Sequence, residues 1–343
     1  EHFILLGGLP LIISYAEMQY EHKIRYLASF IIQTICKNTK SVTFQTFISC
    51  RGLPALVALL GGDYSENKDL IFMTIDSIYD IFELQNSTPK SDYLQLFIKC
   101  DLIPSLLDVM NNIIVDDEIF DAEEYENKIV NIFLKFSRGD AAIKEAVATK
   151  EAIESLLKEI DKLYLRQSIN ILKALKYLSS DSSTLDNLFD AGIIPKLISF
   201  INIYKNDEKQ YQEISNQVLN IVYNLCRINK KRQESAAKAG VVPILQEYVY
   251  NPSPLKEFAL PILCEMVHAG KITRDILWEN NVLNSYILLM KDTFWQINAI
   301  DAIFAWYYIL YFSNTYIYIE FTYSHCIIYI YIYFFFYNFY LGF

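Results

Sequence analysis

The feature that most constrains this chain is a short phrase that recurs along it. Residues 238–249 read KAGVVPILQEYV, the wording of a corner between two helices. Gly240 suits the left-handed residue that ends one helix, and Pro243 suits the first turn of the next. Variants are GGLPLI at 7–12, RGLPALVALL at 51–60, CDLIPSLLDVM at 100–110, KEAIESLLKEI at 150–160, AGIIPKLISFI at 191–201 and NNVLNSYILLM at 280–290. The prolines, or the residues in their place, are Pro10, Pro54, Pro104, Glu154, Pro195, Pro243 and Asn284, with successive spacings of 44, 50, 50, 41, 48 and 41.

A helical period of about 40–47 residues is the armadillo/HEAT signature. Between corners the units read as short helix, corner, medium helix, loop, long helix. One example is a short helix over 42–50, the corner Gly52-Leu53-Pro54, a medium helix closed by Gly61-Gly62-Asp63, and a long helix over 67–84. Three helices per unit separate armadillo from the two-helix HEAT repeat. The expected fold is all-α, an armadillo/HEAT-type right-handed α-solenoid of about six to seven repeats. It occupies residues 1–306, the first repeat truncated, and is followed by a Tyr/Ile/Phe-rich tail at 307–343. The opening in mid-repeat at Glu1 reads as a fragment. The apolar run at 3–6 has then lost a neighbour, and poor solubility is expected, since terminal repeats normally carry a polar outer face.

A net charge of −10 argues against nucleic-acid binding, which needs a basic face against phosphates. Six scattered cysteines form no CxxC pair, and the four histidines are too distant to complete a zinc site. They read as reduced thiols used as small hydrophobes. There is no GxGxxG, phosphate loop, GxSxG, HExxH or EF-hand loop, and no HRD, DFG or VAIK element. The span reads as a non-catalytic binding scaffold with no cofactor and no metal. No signal peptide is visible.

The candidate site follows from the long helices. Residues 213–227 give the clearest amphipathic pattern, with Ile214, Val218, Ile221, Val222 and Leu225 on one stripe and Glu213, Gln217, Asn220, Asn224 and Arg227 on the other. In an armadillo array the long helices line the concave groove, so the polar stripe is where a protein ligand would lie. Carried along the array, it comprises Asp76, Asp80 and Glu83, then Asn131, Lys135 and Arg138, then Lys173 and Tyr177, then Asn220, Asn224 and Arg227. The positions aligned with Asn224 are Thr34, Asp80, Lys135, Tyr177 and Met266. They lack the Trp/Asn ladder of nuclear-import adaptors, and the groove is mixed in charge, so a cargo adaptor is disfavoured.

Other features carry a local reading. In the long helix over 20–36, Ile24, Leu27, Ala28, Ile31, Ile32 and Ile35 are spaced for one face. Seven acidic residues at 116–126 read as a solvated loop and an acid-rich first turn, or as a docking site for a basic partner. Lys230-Lys231-Arg232 reads as a solvated basic loop, and Ser87-Thr88-Pro89 as a turn. Pro261 should kink its helix, and His268 reads as a helix-terminal histidine. The tail holds one charge, Glu320. A membrane span, a buried strand pair and translated AT-rich non-coding sequence compete for it, with its Ile, Tyr, Phe and Asn codons favouring the last.

At 47–89 and 225–269 the wording becomes specific. FISCRGLPALVALLGGDY, IFELQNSTPKSDY, LCRINKKRQE and SPLKEFALPILCEMVHA, continued by Phe294-Trp295 and Ile300-Asp301, resemble the non-catalytic region of MAP kinase kinase kinase epsilon and the related septation-initiation Ser/Thr kinases. The resemblance covers about residues 25–305. It implies a kinase domain N-terminal to the repeats. It also implies a role in cytokinesis signalling, at spindle-pole or centrosomal sites and the division plane, with a small GTPase or scaffold proteins as partners. No catalytic residue of that family has a matching position here. The alternatives are a free-standing adaptor and a scaffold tethered to membrane by the tail.

The stripe assignment is testable. Leu225→Ala should cost about 2–5 kcal/mol, while Asn224→Ala should cost little stability. Equal melting temperatures for the two variants would contradict it.

Overall fold

In the computed structural model the described residues are 6–37, 41–84, 91–116, 118–119 and 121–312. Among them the chain is helical, with no strand. A first pair, α1 (Leu9–Tyr15) and α2 (His22–Lys37), precedes six trios. The trios are α3 (Ser41–Ser49), α4 (Gly52–Leu60) and α5 (Lys68–Leu84); α6 (Ser91–Ile98), α7 (Leu102–Val115) and α8 (Ala122–Ser137); and α9 (Ala141–Val147), α10 (Lys150–Glu159) and α11 (Leu165–Ser179). They continue with α12 (Leu185–Asp190), α13 (Ile193–Ile203) and α14 (Glu208–Cys226); α15 (Lys230–Lys238), α16 (Val241–Tyr250) and α17 (Lys256–Glu265); and α18 (Lys271–Glu279), α19 (Val282–Leu289) and α20 (Gln296–Phe312). The long helices pack in the order α2, α5, α8, α11, α14, α17, α20. One hydrophobic core threads all units, from Leu9 to Trp306.

Two of the corners form on the left-handed glycines expected from turn chemistry. Gly192 and Gly240 adopt φ of 75° and 89° immediately before α13 and α16. Arg51, Asp101 and Asn281 adopt the same left-handed conformation before α4, α7 and α19, with φ of 65°, 56° and 55°. A side chain there is strained by its own Cβ, so packing of the flanking helices must hold those corners. At the degenerate fourth corner no left-handed residue is used. Thr149 is extended instead, and its hydroxyl accepts a hydrogen bond from Ala152 N–H as an N-cap.

Some local readings change. Lys230-Lys231-Arg232 is the first turn of α15, capped by Asn229, and not a loop. Arg232 is buried, donating to Asp186 at 2.6 Å and to the Leu225 carbonyl at 3.3 Å. The three-residue basic run misled because its third member points into the array. In α2, Ala28 and Ile32 are buried, but Ile24, Leu27 and Ile31 are 40%, 55% and 39% exposed. Arg25, Ser29 and Cys36 complete the buried face, because α5 packs on that side of α2. Leu6, at the other edge of the same end, is 86% exposed. Pro261 lies inside α17, which passes into a 3-10 turn, Met266–His268. The last helix runs on past Trp306 to Phe312. The readings of the break at 38–40, the turn at 87–89 and the tail beyond 312 fall outside the described residues.

Cys36, Cys226 and Cys264 are buried free thiols, and burial pushes each up to about 12. At neutral pH they are packing groups and not nucleophiles.

Two glycines separate strain from sterics. A Cβ at Gly240 would meet nothing within 4 Å, so Gly240→Ala should cost only the left-handed penalty, about 1–2 kcal/mol. At Gly52 a Cβ would lie 2.3 Å from the fully buried Phe47 ring. Gly52→Ala should therefore force repacking, at about 1–3 kcal/mol. Trimming the ring with Phe47→Leu should relieve part of the Gly52→Ala loss and none of the Gly240→Ala loss in thermal denaturation.

Candidate functional site

The long helices carry the candidate surface because their 3.6-residue period gives each a second stripe opposite the core. On α8 this stripe is Glu124, Lys128, Asn131, Lys135 and Arg138, spaced by four and three residues in turn. All eleven residues expected to line a groove lie on such stripes of α5, α8, α11 and α14 or at their C-caps. Asp76, Asp80, Asn131, Lys135, Lys173, Tyr177, Asn220 and Asn224 are half-buried, while Glu83, Arg138 and Arg227 are exposed.

The stripes are cross-linked from one long helix to the next. His22 meets Asp69 at 3.0 Å, and Gln33 Nε2 donates to Asp76 at 3.3 Å, joining α2 to α5. Lys128 Nζ donates to the same Asp76 at 2.6 Å and to Glu124 on its own helix. Lys135 Nζ donates to Glu83 at 2.7 Å and to the Phe82 carbonyl at 3.0 Å. Phe72 stacks on Tyr125 with ring centroids 4.2 Å apart. From α8 to α11, Asn170 donates to Asn131 at 3.5 Å, and the Arg138 guanidinium lies 5.0 Å from the Tyr177 ring centroid. From α11 to α14, Lys173 approaches Glu213 at 3.7 Å, and Asn224 donates to Ser179 Oγ at 3.0 Å and to Asn220 at 3.4 Å. Arg227 lies over Tyr223, whose ring meets Phe258 of α17 edge-on. His268 meets Asp301 of α20 at 3.1 Å.

Sequence reasoning missed Lys128, the residue that ties the charges of α5 and α8 together, although it lies three residues before Asn131 on the same stripe. It also missed Ser179 and Asn170, whose neutrality gave no signal. Gln217, expected on the polar stripe, is buried, because α14 is flanked on both sides by long helices. Met266, aligned with Asn224, is fully buried in the 3-10 turn. Asn224 itself is bonded, so its replacement by Ala forfeits about 0.5–1.5 kcal/mol where the exposed stripe implied little.

Burial raises the Asp80 carboxyl, opposed by Lys37 and reinforced by Asp76. Burial lowers Lys128, but its bonds to Asp76 and Glu124 outweigh this and leave it raised. Glu126, at the start of α8, is buried and pushed up to about 7 by desolvation. The Tyr164 backbone N–H works against that rise and Glu123 adds to it. The acid-rich segment thus divides. Asp116 caps the end of α7 and pairs with Lys68 at 2.5 Å, Glu123 and Glu124 sit in the first turn of α8, and Glu126 turns inward. Among the described residues no three His, Cys, Asp or Glu side chains gather as a metal site. No described helix is long and apolar enough to cross a membrane. Along the long helices the surface alternates donors, acceptors and aromatic faces.

No family model matches the chain. Among curated proteins it is 40% identical over 306 residues to cytokinesis protein sepH of Aspergillus terreus, covering 89% of this chain and 23% of that protein. It is 32% identical over 302 residues to cell division control protein 7 of Schizosaccharomyces pombe, covering 88% and 28%. It is 35% identical over 182 residues to MAP3K epsilon protein kinase 1 of Arabidopsis thaliana, covering 53% and 13%. The chain therefore spans about a quarter of the length of the first of these relatives. Among solved structures it matches a computationally designed armadillo repeat protein for modular peptide recognition, with a TM-score of 0.54 and 16% identity over 74% of this chain and 98% of that one. It also matches a designed armadillo repeat protein in complex with the peptide (KR)4, with a TM-score of 0.52 and 16% identity over 75% and 99%. The fold is an armadillo-type α-solenoid, and the chain is a relative of the septation proteins across its repeats and of the MAP3K epsilon proteins over about half of its length.

Glu126 predicts a pH dependence. Its folded pKa lies above the ordinary carboxyl value, so between about pH 4.5 and 7 the native state holds a proton that the unfolded chain has released. Its contribution to stability falls as pH rises through that window. Glu126→Gln should match the parent protein near pH 4.5 and melt higher above pH 7. A melting-temperature difference that does not change with pH would refute this.

Proposed function

We propose that this chain, homologous along its repeats to the septation and MAP3K epsilon proteins, is the non-catalytic protein-docking region of a cytokinesis Ser/Thr kinase. The kinase domain would lie elsewhere in the full protein. The single observation that carries the reading is the continuous polar and aromatic stripe on successive long helices, α2 to α17, in a solenoid that leaves that face open. Such arrays present their extended concave surface to other proteins. The groove residues are Asp76, Asp80, Glu83, Asn131, Lys135, Arg138, Lys173, Tyr177, Asn220, Asn224 and Arg227.

The relatives' printed roles in cytokinesis and cell division support a place for this protein at the division site, and a signalling or scaffold protein as the ligand. A small GTPase fits the same role. The sequence motifs of nucleotide and phosphoryl chemistry are missing from the span, which supports docking over catalysis here.

A chimera tests this. In Schizosaccharomyces pombe cells whose cell division control protein 7 lacks its corresponding region, residues 1–312 of this chain should restore division. The same insert carrying Arg138→Glu, Lys173→Glu and Arg227→Glu should fail while keeping its helical circular-dichroism spectrum and level. Full rescue by the triple variant would overturn the groove assignment. Normal division without any insert would overturn the docking role.

A further inference from the structure

A cavity of about 400 Å³ opens where the N-terminal ends of α8 and α11 meet, at the head of the stripe described above. Asp121, Glu123, Glu124, Asn127, Tyr164 and Gln167 contribute to its wall. Gln167 is only 1% exposed. Its Nε2 donates to the Glu123 carbonyl at 3.4 Å, which fixes the amide orientation and leaves Oε1 with no donor. Asn127 Oδ1, in the same wall, also has no donor. Native interiors pair nearly all such atoms, so the two unsatisfied amide oxygens of Gln167 and Asn127 on the cavity's lining residues point to a missing donor.

The charge around them is predominantly negative. Three carboxylates line the cavity against one cation, Arg166, and Glu124 is partly neutralised by Lys128. These acids also cancel the positive helix ends that would otherwise attract an anion. The acidic side chains do not converge as a metal site does. Unpaired amide oxygens among carboxylates suit a planar group with several N–H donors. Guanidinium has five in a fixed fork.

We propose that this cavity receives an arginine side chain from a basic segment of the partner docked along the long-helix face. The proposal rests on the docking reading and gives that partner a chemistry. It differs from a Trp/Asn ladder, because recognition is concentrated in one acidic, acceptor-lined pocket at the edge of the stripe.

The probe is a fluorescein-labelled peptide of alternating arginine and serine, titrated into the full chain and followed by anisotropy. Its control replaces arginine by citrulline, which keeps the shape and removes the charge. The citrulline peptide should bind at least about tenfold more weakly, and Gln167→Leu should weaken the arginine peptide by about tenfold. Glu123→Gln is exposed and leaves the fold intact, so it keeps the test decisive if Gln167→Leu does not fold. It should weaken binding several-fold and reduce the salt dependence. Equal affinity for the two peptides, wild-type binding by Glu123→Gln, or no binding up to about 1 mM would each overturn the pocket. If the chimera still depends on Arg138, Lys173 and Arg227 in that case, the docking face stands and only its arginine pocket falls. Loss of both results would remove the docking reading as well.

Discussion

Everything in this molecule depends on the inability of one helical trio to cover its own apolar side. Each long helix buries one stripe against the shorter helices of its unit and flanks against the long helices before and after it. Ile71, Ile75 and Ile78 of α5, Ile129 and Phe133 of α8, and Ile214, Val218 and Ile221 of α14 are all removed from water this way. Burying one such side chain contributes about 1.5–3 kcal/mol. The stabilisation therefore accrues unit by unit through nearest-neighbour contacts. The same logic explains the ends of the described array. α2 lacks a long helix on its outer side and exposes Leu27 and Phe30, and α20 exposes Ile297.

The corners show how far packing can override local preference. Gly192 and Gly240 enter the left-handed region at little cost. Arg51, Asp101 and Asn281 do so only because the helices on both sides are already held. Thr149 reaches the same change of direction with an extended residue and a hydroxyl cap. Three local solutions serve one geometry, which is why the repeat is degenerate in sequence and regular in structure.

On the open face the ionic groups are mostly paired with neighbours one unit away. Exposed pairs of this kind contribute little stability, about 0–1 kcal/mol each. Their value lies in orientation. Lys128 between Asp76 and Glu124, and Lys135 on Glu83, fix where charge is presented along the array. Under the docking reading proposed above, a partner would meet side chains already arranged and lose less conformational entropy on binding.

The sequence by itself determined the period, the helical class, the order of helices in each unit and the position of every corner, because these follow from turn chemistry and apolar spacing within a few residues of each other. It also placed the eleven candidate residues on the long helices or at their C-caps. Only the tertiary structure decided which polar residues meet across units, since Asn131 and Asn170, or Ser179 and Asn224, lie about forty residues apart and carry no pattern that marks them as neighbours. It alone turned Arg232 and Gln217 inward, opened the Ile24–Leu27–Ile31 side of α2, and left Gln167 without a donor. Those outcomes depend on which face a neighbouring helix covers, and a one-dimensional period fixes a helix's faces without saying what lies against them.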